Sequence, residues 1–149
     1  MAVPYPALAS LAKQYQAELA GKIVVDITNP LNFETWDELV VPADSSAAQQ
    51  LQKLLPESNV LKAFNNNFAA TLQSGKIGEL PTTVLVAGDD EDAKAAFKSV
   101  LASSALRVLN ASKLKRAREM EATGFLQMTL AASEQIGWDG GFGVVGANK

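Results

Sequence analysis

The sequence predicts an α/β fold, with a mostly parallel sheet, flanking helices and a long C-terminal helix. Three observations carry this. The run Ile23-Val24-Val25, resumed after Asp26 by Ile27, is β-branched and nearly unbroken, as in a parallel strand covered on both faces. Comparable short apolar runs at 59–65, 82–87 and 106–109 alternate with stretches whose apolar residues fall at helical spacing. No repeat and no low-complexity linker interrupts the alternation. The 149 residues, 48% of them hydrophobic, therefore read as one α/β domain, with a sheet region over 1–110 and a helix and glycine-rich tail over 111–149.

The elements follow in order. Leu8, Leu11, Tyr15 and Leu19 lie on one helical face, and Gly21 suits a left-handed C-terminal cap. The strand Ile23–Ile27 stops in Thr28-Asn29-Pro30, where the proline forces Asn29 into an extended conformation. The connection that follows is long and carries Phe33 and Trp36. Such loops often act as lids or binding loops, although two aromatics folding back as a small satellite core is the favoured reading here. Asp44, Ser45 and Ser46 offer N-caps to a helix carrying Leu51, Leu54 and Leu55, which Pro56 ends. A strand over Asn59–Asn65 leads to a short helical piece, Phe68–Ser74, closed by Gly75. A strand over Thr82–Ala87 precedes a helix burying Ala93, Phe97, Val100 and Leu101. After the strand Leu106–Leu109, Ser112 caps a helix reaching about Gln135. The ending, GWDGGFGVVG, reads as a loosely ordered tail or a docking arm, and periodicity fixes neither strand order nor the direction of the last two strands.

Composition narrows the chemistry. A formal charge of −3 gives no electrostatic footprint for nucleic acid. With no cysteine, disulfides, thiolate nucleophiles and cysteine metal sites are excluded, and with no histidine the commonest general base is missing too. An enzyme built this way suits chemistry that another molecule performs and the protein positions, such as hydride transfer by a nicotinamide or flavin. The N-terminus shows no signal peptide or membrane span, so a cytoplasmic location is the default expectation.

Two strands end in asparagine, Ile23–Ile27 before Asn29 and Val60–Phe64 before Asn65. Either alone reads as a strand-terminating turn. If the strands are adjacent and parallel, both amides share one carboxyl edge, where open α/β sheets bind ligands. Beside Thr28 and the Val3-Pro4-Tyr5 turn they make a ligand edge the better reading. The run Asp89-Asp90-Glu91-Asp92 is better explained by a helix N-terminus than by a cation. Lys113, Lys115, Arg116 and Arg118 read as a solvated helix face rather than a phosphate site. Gly124, Ala131 and Ala132 allow close helix packing, within the domain or across a dimer.

These residues carry a resemblance. VPYPAL, KIVVDITNPLN, VLKAFNNN and LVAGDDEDAK, in this order and spacing, resemble the later two-thirds of a dinucleotide-binding, Rossmann-type family. It includes the NADP oxidoreductases that depend on a deazaflavin coenzyme, and the cytosolic domains of some metalloreductases are similar. The resemblance implies NADP as cofactor, a deazaflavin or flavin as redox co-substrate, and hydride transfer between the two rings. It places Pro4, Tyr5, Thr28, Asn29, Pro30 and Asn65 near the nicotinamide half of the cofactor, with no catalytic side chain and no metal. Asn66 stands where such proteins often carry a small hydroxyl residue.

The family's glycine-rich turn and first βαβαβ part have no counterpart here, and Met1-Ala2-Val3 corresponds to the tail of its fourth strand. The expectation is therefore a truncated member of doubtful activity on its own, which self-associates through an exposed strand edge or the C-terminal helix. The competing expectation is a non-catalytic α/β binding or assembly module.

Overall fold

A computed structural model describes residues 1–146. Helix α1 (Tyr5–Gln14) starts with Pro6 in its first turn, where a missing N–H costs nothing. After a break at Tyr15, the one-turn α2 (Gln16–Leu19) leads to Gly21, which has φ +70°. Strand β1 (Ile23–Asp26), helix α3 (Ala47–Leu54) and strand β2 (Asn59–Ala63) form a parallel βαβ unit. Ser46 Oγ accepts from Gln49 N at 3.1 Å, capping α3 as its sequence position predicts. Helix α4 (Ala69–Ser74) ends at Gly75, φ +70°.

A small hairpin that the sequence did not announce follows: β3 (Lys76–Ile77) and β4 (Leu80–Pro81) are antiparallel about Gly78. Strands of two residues carry no periodicity, and a proline argues against a strand. Strand β5 (Thr83–Gly88), helix α5 (Glu91–Val100) and strand β6 (Arg107–Asn110) make the second parallel unit. A 3₁₀ turn, Leu114–Arg116, opens into α6 (Ala117–Ala132).

The four long strands are ordered β1-β2-β5-β6, and β2 and β5 are antiparallel. The sheet is thus mostly parallel, as expected, with one reversal where α4 and the hairpin replace a crossover helix. Alternation along the strands sorts two cores. Val24 and Val60 face α1 and α3, packing with Leu8, Ala12, Leu51 and Leu55. Leu61, Ala63, Val84 and Val86 face α5, packing with Ala93 and Phe97.

Three local expectations fail. Val100 is 80% exposed rather than buried, because α5 turns its last residue outward. Ser112 does not cap α6: it takes φ +78° ahead of the 3₁₀ turn. The last helix stops at Ala132, three residues before Gln135.

The tail up to residue 146 folds back as a docking arm. Trp138 lies 4.9 Å from Phe68 between ring centroids, and Phe142 N donates to Gln127 Oε1 at 3.1 Å. The remainder of the predicted tail, residues 147–149, lies outside the described residues.

The strand Ile23–Asp26 sits at one edge of the sheet, as the resemblance implied. Met1 lies alongside its outer edge and bonds as a parallel neighbour does: its nitrogen donates to Val25 O at 2.5 Å and its carbonyl accepts from Ile27 N at 3.3 Å.

Candidate functional site

An open cleft of about 450 Å³ lies beyond the carboxyl end of β1. Its walls come from Ala2, Val3, Pro4 and Tyr5 on one side and Ile27, Thr28 and Asn29 on the other, with Phe33 and Met128 completing it. Four of the six residues singled out from sequence, Pro4, Tyr5, Thr28 and Asn29, therefore meet at one place. Asn65 lies just behind, and Pro30 lies buried off the cleft, where its carbonyl accepts from Val40 N at 2.7 Å.

Because β1 and β2 are adjacent and parallel, Asn29 and Asn65 come together as the strand ends predict. Asn29 Nδ2 donates to Asn65 O and Asn65 Nδ2 donates to Asn29 Oδ1, both at 2.9 Å. Asn65 Nδ2 also donates to Met120 O at 2.9 Å, which ties the pair to α6. Gly124 permits that approach, since a Cβ there would fall 2.7 Å from Asn29 Oδ1 and 2.9 Å from Asn65 O. The small residues of α6 thus serve packing within the chain at Gly124 and Ala131, while Ala132 is exposed. Phe64, with φ +64°, turns the chain out of β2 and places Asn65 under the helix.

Behind the cleft floor is a group that sequence reasoning missed. Asp26 and Lys62 are cross-strand partners in the β1–β2 register. Lys62 Nζ stands 2.9 Å from Asp26 Oδ2 and 2.9 Å from Glu121 Oε1, with all three side chains buried. The same ammonium donates to the carbonyl of Thr28. Asp26 Oδ1 in turn accepts from Thr28 N at 3.0 Å and Thr28 Oγ1 at 2.9 Å. Glu121 accepts from Ala47 N at 2.9 Å and Ala48 N at 3.3 Å, capping α3 from outside. Burial pushes the Glu121 carboxyl up, while the Lys62 charge and the hydrogen bonds it accepts oppose that rise. A signal was present in the sequence: one charge stands inside each of two apolar runs, IVVDI and VLKAF. Pairing them needed the register.

Among the described residues, Tyr5 is the one ionisable side chain lining the cleft. Its hydroxyl donates to Gln50 Oε1 at 2.5 Å. Burial chiefly, and the nearby Glu121 charge, raise its pKa above the ordinary phenol value. Thr28 contributes shape rather than a free hydroxyl donor, since that proton goes to Asp26. Phe33 does not retire into a satellite core. It meets Trp36 edge-on at 5.4 Å, yet stays 53% exposed at the cleft.

The charged clusters find local uses. Asp90 caps α5 through Ala93 N at 2.6 Å, and Asp89 accepts from Leu114 N at 3.1 Å. Glu91 pairs with Lys94 at 2.7 Å. Arg116 and Arg118 both pair with Glu119, at 3.4 and 2.9 Å, as a solvated helix face does.

No family model matches the chain. It is 34% identical over 126 residues to the F420-dependent NADP reductase of Methanocaldococcus jannaschii, covering 82% of this chain and 56% of that protein. To the metalloreductase STEAP3 of Rattus norvegicus it is 36% identical over 118 residues, covering 79% of this chain and 22% of that one. The crystal structure of a putative F420-dependent NADP reductase from Arthrobacter sp. FB24 superposes with a TM-score of 0.83 at 27% identity, covering 97% of this chain and 67% of that one. Over the part that it spans, the chain resembles the F420-dependent NADP reductases in sequence and in its Rossmann-type fold. That part is about half the length of the archaeal reductase and about a fifth of the rat metalloreductase.

NADP is the cofactor that the names of these relatives carry. The cleft is of the size that takes one ring system, with apolar walls and an amide at its rim, which fits the nicotinamide half of NADP. For the phosphates, the sequence has no glycine-rich turn between a strand and a helix. The fit is to one half of the cofactor. Among the described residues no group of three or more acidic side chains is arranged to hold a metal ion, and no helix is long and apolar enough to cross a membrane.

Proposed function

We propose that this chain forms the nicotinamide-side wall of an NADP-dependent reductase. Hydride would pass between the nicotinamide ring and a deazaflavin, flavin or other small acceptor. The supporting observation is the convergence of Pro4, Tyr5, Thr28 and Asn29, from two separate segments, on one cleft with Phe33 and Met128. The names of the relatives point to the same reaction class. Bound NADP supplies the hydride chemistry. The chain's part is to hold a flat ring against an apolar wall at a distance from which it can react, which needs orientation rather than an acid or base. A cleft without histidine and with its phenol bonded to Gln50 suits that task.

Titrating the chain with NADPH while following cofactor fluorescence tests this. Binding in the micromolar range is expected, and Phe33→Ala should weaken it severalfold without loss of fold, since Phe33 is 53% exposed and meets Trp36 edge-on at the cleft. No binding at millimolar NADPH would reject the proposal for this chain.

A second reading, a self-associating assembly module, draws on the sheet edge, where Ile23 is 42% and Ile27 37% exposed. It expects concentration-dependent elution with no response to NADPH. A monomer at high micromolar concentration speaks against it.

A further inference from the structure

We infer that Lys62 is a positioning residue for the cleft, a role that takes its functional meaning from the nicotinamide-side reading above. An ammonium has three N–H donors and no acceptor. Lys62 directs its donors at Asp26, Glu121 and the Thr28 carbonyl, and none reaches solvent. Asp26 completes the grip by accepting both the backbone N–H and the hydroxyl of Thr28. All three hydrogen-bonding groups of Thr28 are thereby fixed by one buried pair. Thr28 lines the cleft together with Ile27 and Asn29 on either side of it.

The opposite end of the network is equally defined. Glu121 sits on α6 one residue from Met120, whose carbonyl holds Asn65, and it also holds the first N–H groups of α3. Lys62 is thus where the exit of β1, the start of α3 and the middle of α6 are joined. A hydrophobic residue would fill the same space but could satisfy neither the Thr28 carbonyl nor Asp26.

A buried ion pair can often be replaced by apolar residues with little loss of stability. That separates positioning from structural support. The double variant Lys62→Met/Glu121→Gln removes one charge of each sign and leaves Asp26 accepting from Thr28 N and Oγ1. In the ligand-free 149-residue chain, amide exchange by NMR should accelerate at least about tenfold at Thr28 and Asn29, as loss of a hydrogen bond to a charged group implies. Val60 and Val86, in the two cores, serve as controls and should keep their rates. NADPH affinity should fall by a similar factor.

The inference is overturned if the folded double variant keeps wild-type exchange at Thr28, or if Val60 and Val86 accelerate equally. If the double variant does not fold, Asp26→Asn decides by the same local exchange, since its amide turns a donor or a neutral oxygen toward Lys62. Unchanged exchange at Thr28 would again overturn it. If the wild-type chain fails to bind NADPH, the proposed function fails, while the exchange measurement still decides the role of Lys62.

Discussion

Asp89, Asp90, Glu91 and Asp92 crowd four carboxylates into consecutive positions, whereas Asp26 stands alone in an apolar run and Glu121 lies between Met120 and Ala122. The crowd looks like a site, and the structure uses it for local support: a cap on α5, a bond to the 3₁₀ turn, a pair with Lys94. The isolated pair looks incidental, yet it is buried and converges on Lys62 behind the cleft. Charges adjacent in sequence repel one another, so they stay where water and helix ends can accommodate them. A charge alone in an apolar run has to find a partner from elsewhere in the chain, and that long-range pairing fixes geometry.

The largest effect should come from breaking the buried group on one side only. Lys62→Met leaves Asp26 and Glu121 facing each other without a counter-charge, and such a loss costs about 3–5 kcal/mol. Chemical unfolding measures it. A loss below about 1 kcal/mol would mean that the carboxylates simply take up protons or water, and the contrast with the surface cluster would collapse.

Much of this was legible beforehand. β-branched runs mark the strands, the polar run 44–46 and the acidic run 89–92 mark two helix starts, and Asn29 and Asn65 share one carboxyl edge once their strands are taken as adjacent and parallel. The reversal at β5 was not legible, because the direction of a strand is decided by what connects it rather than by its own residues. The hairpin at Gly78 is too short to carry a pattern. The Asp26–Lys62 pair depends on register, since a slip of one residue would send Lys62 to the face of Phe97. Phe33 stands in the loop that the sequence leaves open as a binding loop, with a satellite core favoured. Met128 instead reaches the cleft from a helix 99 residues beyond Asn29, a distance over which no spacing could announce it.

A smaller effect tests the other side of the comparison. Asp90→Ala removes one cap from α5 and should cost about 1 kcal/mol, typical of an N-cap. It should leave NADPH affinity unchanged, because α5 packs on β5 and the Phe97 core rather than on the cleft. Weakened binding in Asp90→Ala would show that the acidic cluster reaches the site after all.

The smallest effect is a slope with pH, and its sign distinguishes the two groups. Burial holds the Glu121 carboxyl above the ordinary carboxylate range, with Lys62 and two α3 amides resisting the rise, so the net displacement is a difference between opposing causes. A raised acid keeps its proton in the folded chain at a pH where the unfolded chain has released it. Its contribution to stability is fully present below the unfolded value, about 4.3, and is lost as pH rises through the folded value. Glu91 behaves oppositely. Its hydrogen bond from Lys94 lowers its pKa, so its contribution is present above the unfolded value and lost as pH falls; full exposure keeps it weak. The unfolding free energy of wild type minus that of Glu121→Gln should therefore decline as pH is raised from about 4 to about 7. The corresponding difference for Glu91→Gln should rise or stay flat. A rising difference for Glu121→Gln would mean that Lys62 outweighs burial, making the buried carboxylate an ordinary stabilising ion pair rather than a strained one held in place for the cleft.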